Sequence, residues 1–270
     1  MESIKGHVYN YHFQPKDRRD HLMTNVPEVK LPRKVDLREK YKVPVFDQSF
    51  LGSCTAQASA TALQFLLLKL NETLPKEKQF PIYTPSRLFI YANSRILEET
   101  PLTEDSGCSL RSACKAIAKF KAPKEPLWEY DISKFSIKPP ISVYNEALKI
   151  TRMEYKAIPQ TFFRLRNALY NNCPVIFGMD IYPSFESKSA LETGIIPMPD
   201  FDKEVLMGGH ALVLISYNDD EEMFLVQNSW GTNVGGSFGE KFTRGYFKIP
   251  YKYILDRNHA GDFWVLSRFE

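Results

Sequence analysis

Residues 47–65 read DQSFLGSCTAQASATALQF. Aspartate, serine and glycine crowd its front and an apolar run follows, which marks a helix start with Ser53 as the cap and Cys54 through Lys69 as the helix. Ala58, Ala62, Phe65 and Leu66 share one face at i, i+4, i+7, i+8 spacing, as deep burial requires. A cysteine at the first helical position meets unpaired backbone N–H groups and the positive end of the helix dipole, so Cys54 is a candidate thiolate. Its neighbours Gly52, Ser53, Thr55 and Ala56 are small; they leave room for another molecule and would pack a core poorly. Gln48 lies in a loop able to fold back over the helix start, where its side-chain N–H and the backbone N–H of Cys54 can meet a developing oxyanion.

Two later strings complete a set: GGHALVLISY (208–217) and FLVQNSWG (224–231). His210 opens a strand behind Gly208 and Gly209, glycines that let the backbone approach a substrate main chain closely. Asn228 ends the next strand; its amide oxygen can accept from one ring nitrogen of His210 and fix the tautomer, and Trp230 can shield that bond from water. His7, His12, His21 and His259 lie in the N-terminal arm or a C-terminal loop and are poorer bases. Taken singly, these residues also read as an inert buried cysteine, a turn glutamine, a core histidine and a strand-end turn former. Nucleophile, base, orienter and oxyanion donor in this order carry the case together, and the set needs no cofactor.

The remaining features bound the class. A 270-residue chain can bury one large core or two lobes around a cleft. The net charge of +3, with basic and acidic residues interspersed, argues against nucleic acid. Apolar stretches such as 62–68 and 211–215 are too short for a membrane span, and MESIKGHVYNYHFQPKDRRD has no apolar signal region. Cys54, Cys108, Cys114 and Cys173 show no C-x2-4-C zinc spacing. Free thiols in a reducing compartment are expected, hence a cytoplasmic chain or, if viral, one in host cytoplasm or virion, acting as a monomer.

Along the chain, 1–31 reads as a polar arm, 32–145 as a mainly helical lobe carrying the nucleophile, and 146–270 as a mainly β lobe carrying the histidine and asparagine. Helices are expected over 84–97 (Thr84 as cap, Pro85 in the first turn), 109–121 and 162–172, and a short helix or a link over 140–150. Strands are expected over 174–182, 210–218, 223–230 and 245–250.

At these residues the chain resembles the papain family of cysteine peptidases: QSFLGSCTAQASA, GGHALVLISY and QNSWGTN are similar to its glutamine-to-cysteine, histidine and asparagine segments. FQPKDRRD (13–20), PSRLFIYANSR (85–95), EDSGCSLRSACKAI (104–117) and TGIIPMP (193–199) are similar to a divergent xylellain-like branch of bacteria and large DNA viruses. The resemblance implies an α+β, two-lobe fold with a helical left lobe, a β-barrel-like right lobe and the cleft between them. It also implies cysteine endopeptidase activity on a peptide or protein, with Cys54 as nucleophile, His210 as base, Asn228 as orienter and Gln48 as oxyanion donor. Other thiol acyl transfer (deamidation, isopeptide cleavage) and a silent peptide-binding module use the same frame.

Departures from the family pattern carry expectations of their own. Leu51 replaces a cysteine, so a disulfide common in the helical lobe is absent, and Thr55 replaces an aromatic residue. Ser109, Leu110 and Arg111 occupy the region where a glycine pair meets the substrate backbone, so Leu110 and Arg111 are expected at the substrate. The loop 233–247 is longer than usual. The resemblance places specificity in the pocket for the second residue before the scissile bond. With Gly209 beside it and Met207 and Ile181 nearby, that pocket is expected to be uncharged and to prefer Leu, Val or Phe, unless Asp262 reaches its floor. The arm, with Tyr9, Tyr11, Phe13 and Pro15, is expected either to cross the cleft or to brace the back of the lobes.

Overall fold

The computed structural model describes residues 7–23, 29–147 and 153–268. Helix α1 (Cys54–Asn71) is the central element, buried all round from Cys54 to Leu67 rather than on one face. It packs against α2 (Arg87–Leu97), α3 (Leu110–Phe120) and three strands, β3 (Val175–Ile181), β4 (Gly208–Asn218) and β7 (Ala260–Arg268). A helix buried on every side lies inside a protein, and here it is wedged between helices and sheet. Ser86 and Ser109 cap α2 and α3 with side-chain oxygens that accept from Phe89 and Ser112 backbone N–H groups. Thr84 and Pro85 therefore lie outside α2, because Ser86 already satisfies the first orphan donors. The 140–150 segment begins as the helix α4 (Ile141–Ala147); its last residues lie outside the described ones.

The sheet runs β2 (Met153–Ala157), β7, β3, β4, β5 (Met223–Gln227), β6 (Tyr246–Pro250), with β1 (Lys34–Asp36) paired to β4. Helices α5 (Phe162–Tyr170), α6 (Lys188–Thr193) and α7 (Tyr251–Leu255) surround it. Every strand pairing is antiparallel. The expected β-barrel-like lobe is corrected here: the sheet is open. Closure needs the two end strands to pair, and β2 and β6 are instead covered by irregular chain. Ala157 of β2 exchanges backbone hydrogen bonds with arm residues His21 and Met23. Beyond β6, Gly236 bridges Tyr246 and Ile195 bridges Lys248. Single residues bonded at each edge satisfy the exposed ladder groups without bending the sheet round.

Two details position the site. β1 comes from the helical half of the sequence yet pairs with β4, tying the chain just before α1 to the strand that carries His210. The long 233–247 loop is anchored by Arg38, whose guanidinium donates to Ser237 O at 2.9 Å and lies 3.9 Å from the Phe242 ring centroid. All four cysteines are free, with Leu51 buried near the start of α1.

Candidate active site

Ser53 occupies the cap position of α1, but its side chain makes no capping bond. Its hydroxyl lies 2.5 Å from the Tyr130 hydroxyl and accepts from Gln57 Nε2. The Ala56 N–H bonds to Ser53 O, while those of Cys54 and Thr55 point at the Cys54 sulfur together with the N–H of Ala211. Ala211 follows His210 on β4, so the thiol sits against the strand start that carries the imidazole.

His210 is fully buried; its Nε2 lies 2.7 Å from Asn228 Oδ1. An amide oxygen only accepts, so Nε2 carries the proton and Nδ1 is the free acceptor of the neutral ring. That buried Nδ1 has no hydrogen-bond partner among the described residues. Trp230 stacks on His210 with ring centroids 5.2 Å apart and screens the His–Asn bond. Gln48 is fully buried and bridges the two halves: Ser229 Oγ donates to its Oε1 at 2.6 Å, and its Nε2 donates to Leu51 O at 3.0 Å. One of the two amide protons is thereby used, and the other has no acceptor among the described residues. Burial pushes the Cys54 thiol up to about 12, against the three backbone donors. Burial likewise pulls His210 down to about 4, against the bond to Asn228. Both groups are neutral near pH 7 in this arrangement.

The cause of that burial is the arm. Residues 7–13 lie along the cleft, and Tyr11 N–H donates to Gly209 O at 3.1 Å. His7 stacks on Trp230 with centroids 3.8 Å apart and an interplanar angle of 5°. The Tyr9 hydroxyl donates to Glu186, and its ring stands edge-on to His210. A Cβ at Gly208 would lie 2.6 Å from Tyr9 O and one at Gly209 2.3 Å from Tyr11 O, so both glycines are indeed where backbone approaches closely.

The other expected substrate contacts are placed elsewhere. Leu110 is fully buried in α3. Arg111 holds the arm: it pairs with Asp20 at 2.7 Å and donates to Gln14 Oε1 and Pro15 O. Met207 is 42 % exposed on the loop before β4, and Ile181 is fully buried. What faces Asn10 is Gly52 and Gly107, where a Cβ would come within 2.9 Å of its Nδ2 and 1.9 Å of its carbonyl oxygen. Gly107 has φ +69° and stands in EDSGC, so its glycine was a visible signal two residues before Ser109. The Gln48 partners Ser229 and Tyr130 had no such signal, since each is an ordinary residue brought in by long-range folding.

Comparison with known proteins agrees with this geometry. Residues 107–256 match the model of the papain family of cysteine proteases. An uncharacterised peptidase C1-like protein of Acanthamoeba polyphaga mimivirus is 37 % identical over 245 residues, 86 % of this chain and 73 % of that protein. The crystal structure of xylellain, a cysteine protease from Xylella fastidiosa, superposes with a TM-score of 0.83 at 34 % identity, covering 97 % of this chain and 96 % of xylellain. Procathepsin L 3 of the Tenebrio molitor larval midgut shares the fold, with a TM-score of 0.62 at 18 % identity over 85 % of this chain and 68 % of that one. The chain belongs to the papain family of cysteine proteases. It is a papain-type cysteine endopeptidase related to xylellain and to the mimivirus protein, acting on peptide or protein substrates.

Proposed function

We propose that Cys54, His210, Asn228 and Gln48 hydrolyse the peptide bond through a thioester, and that arm residues 7–13 hold the site latent. The single observation that carries the catalytic assignment is the orphaned His210 Nδ1. Asn228 fixes the proton on Nε2, and the bare Nδ1 belongs to the residue next to Ala211, whose N–H points at the thiol. His210 takes the thiol proton through Nδ1. The sulfur attacks the scissile carbonyl, and the resulting oxyanion is met by the second Gln48 amide proton and the backbone N–H of Cys54. The imidazolium passes its proton to the leaving amine. Water, deprotonated by the same nitrogen, then cleaves the thioester to acid and free thiol. Trp230 keeps the His–Asn bond dry throughout.

Latency follows from the shifts. A thiol near 12 and an imidazole near 4 make no ion pair, and the displaced arm would let water back in, lowering the first and raising the second. Replacing Cys54 with Ala in the full chain is expected to abolish turnover of a peptide amide and mass-detected labelling by an epoxide thiol inhibitor. Undiminished turnover in that variant rules the mechanism out.

A further inference from the structure

Two stretches of chain supply the donors assigned to the oxyanion: the loop holding Gln48, and the peptide between Ser53 and Cys54. One phenol touches both. The Tyr130 hydroxyl donates to Gln48 O at 2.9 Å and lies 2.5 Å from Ser53 Oγ. A phenol has one proton to give. With that proton on Gln48 O, Ser53 donates to the Tyr130 oxygen, and Ser53 Oγ accepts in turn from Gln57 Nε2 at 3.2 Å. Arg87 starts the series, since its guanidinium donates to Gln57 Oε1 at 3.3 Å. The bonds therefore run one way, from a fixed positive charge through Gln57, Ser53 and Tyr130 to the carbonyl of Gln48. Gln48, Ser53 and Gln57 are fully buried, and in such surroundings bonds in series polarise and strengthen one another.

The Tyr130 ring is held without help from its hydroxyl. Its backbone N–H donates to Glu125 Oε1 at 3.1 Å, and its ring centroid lies 4.4 Å from Arg87 Cζ. Arg87 itself pairs with Glu125 at 2.5 Å. What the hydroxyl adds is a hold on a strained turn. Ser49, next to Gln48, sits at φ +53°, a left-handed conformation that is costly for serine. Within the turn, the bond from Leu51 N–H to Gln48 O is long, at 3.3 Å. The hydroxyl also keeps Ser53 from capping α1, so the Thr55 N–H stays on the Cys54 sulfur.

We propose that Tyr130 is a positioning residue for peptide hydrolysis: its hydroxyl sets the distance between the Gln48 side chain and the Cys54 N–H, so that both reach one oxygen. It acts through Gln48 and Ser53 and not on the substrate. The proposal rests on the oxyanion role given to Gln48 and the Cys54 N–H above.

The test uses the full chain carrying Tyr9→Ala and Tyr11→Ala. These remove the arm's hydroxyl bonds to Glu186 and to Asp262, the carboxylate that does reach the pocket expected to be uncharged. A peptidyl epoxide counts the open molecules, and kcat for the peptide amide of the same sequence is taken per labelled site. Tyr130→Phe in this chain is expected to lower kcat by about tenfold or more, towards the roughly hundredfold or greater loss of a whole oxyanion donor, with KM little changed. Alkylation of Cys54 by iodoacetamide builds no oxyanion and should keep its rate. Gln48→Ala should be at least as slow, and Tyr130→Phe added to it should cost little more, because the hydroxyl then has no donor to place. Three results each overturn the proposal: alkylation slowing in step with kcat, unchanged kcat in Tyr130→Phe beside a slow Gln48→Ala, or a loss that adds in full to that of Gln48→Ala. Undiminished kcat in Gln48→Ala refutes the oxyanion role itself, and a labelled chain that cleaves no amide refutes the hydrolysis; the proposal falls with either. If no molecule is labelled, the arm still closes the cleft, and the crystal structure of full-chain Tyr130→Phe decides. A displaced Gln48 side chain is then expected, and one unmoved relative to Cys54 N overturns the proposal.

Discussion

The two ends of the described arm bind in different ways. Residues 7–13 meet the cleft through rings and main chain: His7 on Trp230, Tyr9 against His210, Tyr11 over Gly178. Residues 14–23 meet the β2 edge of the sheet and α3 through charge and strand-like bonds: Asp20 with Arg111, and His21 and Met23 with Ala157. The first contacts exclude water from the thiol; the second pin the chain to structural elements. Crossing and bracing, which the sequence left as alternatives, fall on successive stretches of one segment. Because the two stretches use different contacts, access and stability are expected to be separable properties.

The largest expected break in that separation comes from the cleft end. Replacing Tyr9 and Tyr11 together with Ala should raise the rate of epoxide labelling of Cys54 in the full chain by about tenfold or more, a scale set by the two hydrogen bonds lost to Glu186 and Asp262, with little change in Tm. A matching drop in Tm without faster labelling would mean that the two ends act as one unit. Arg111→Ala should do the reverse. Its pair with Asp20 is mostly buried, so a loss of roughly 2 kcal/mol is expected, between the exposed and buried extremes. At about 2–4 °C per kcal/mol for a protein this large, calorimetry should read the fall in Tm directly.

The smallest effect sharpens the boundary, where His12 Nε2 lies 3.5 Å from Glu98. The bond to Glu98 raises His12. Burial lifts Glu98, but donors from His12 and Ser109 outweigh it and lower the group overall. The raised histidine stabilises the docked arm fully below its ordinary pKa and ceases to as pH rises through the docked one. The lowered carboxylate stabilises it above its ordinary pKa and ceases to as pH falls through the docked one. Docking should be tightest between these limits. Labelling rates against pH, compared with Glu98→Gln, should show a shallow minimum that the variant flattens.

Where neighbours in sequence decide the structure, the sequence was legible. Cys54 begins α1, and the strand holding His210 and the one that ends just before Asn228 begin and end within a few residues of expectation. The four reactive positions could be named because each needs a particular residue type in a particular order. β7 was not read as a strand: its GD pair falls at the bulge, and a turn-like dipeptide hides a strand that twists there. β2 was missed because MEYKA is half polar, as suits the end of a sheet. Leu110 and Arg111 were placed at the substrate by analogy of position, yet one is core and the other an anchor. Those facts depend on the arm's path, which no local pattern encodes. The barrel expectation failed because neither the end strand β2 nor the chain covering both edges of the sheet was readable locally.

Cys54 has no exposed surface beneath the arm. A thiolate in water climbs through sulfenic to sulfinic and sulfonic acids, and the upper rungs are not normally reversed. A neutral sulfur with no solvent access is protected from that oxidation. On the proposed latency, the segment expected to keep substrate out would also preserve the nucleophile.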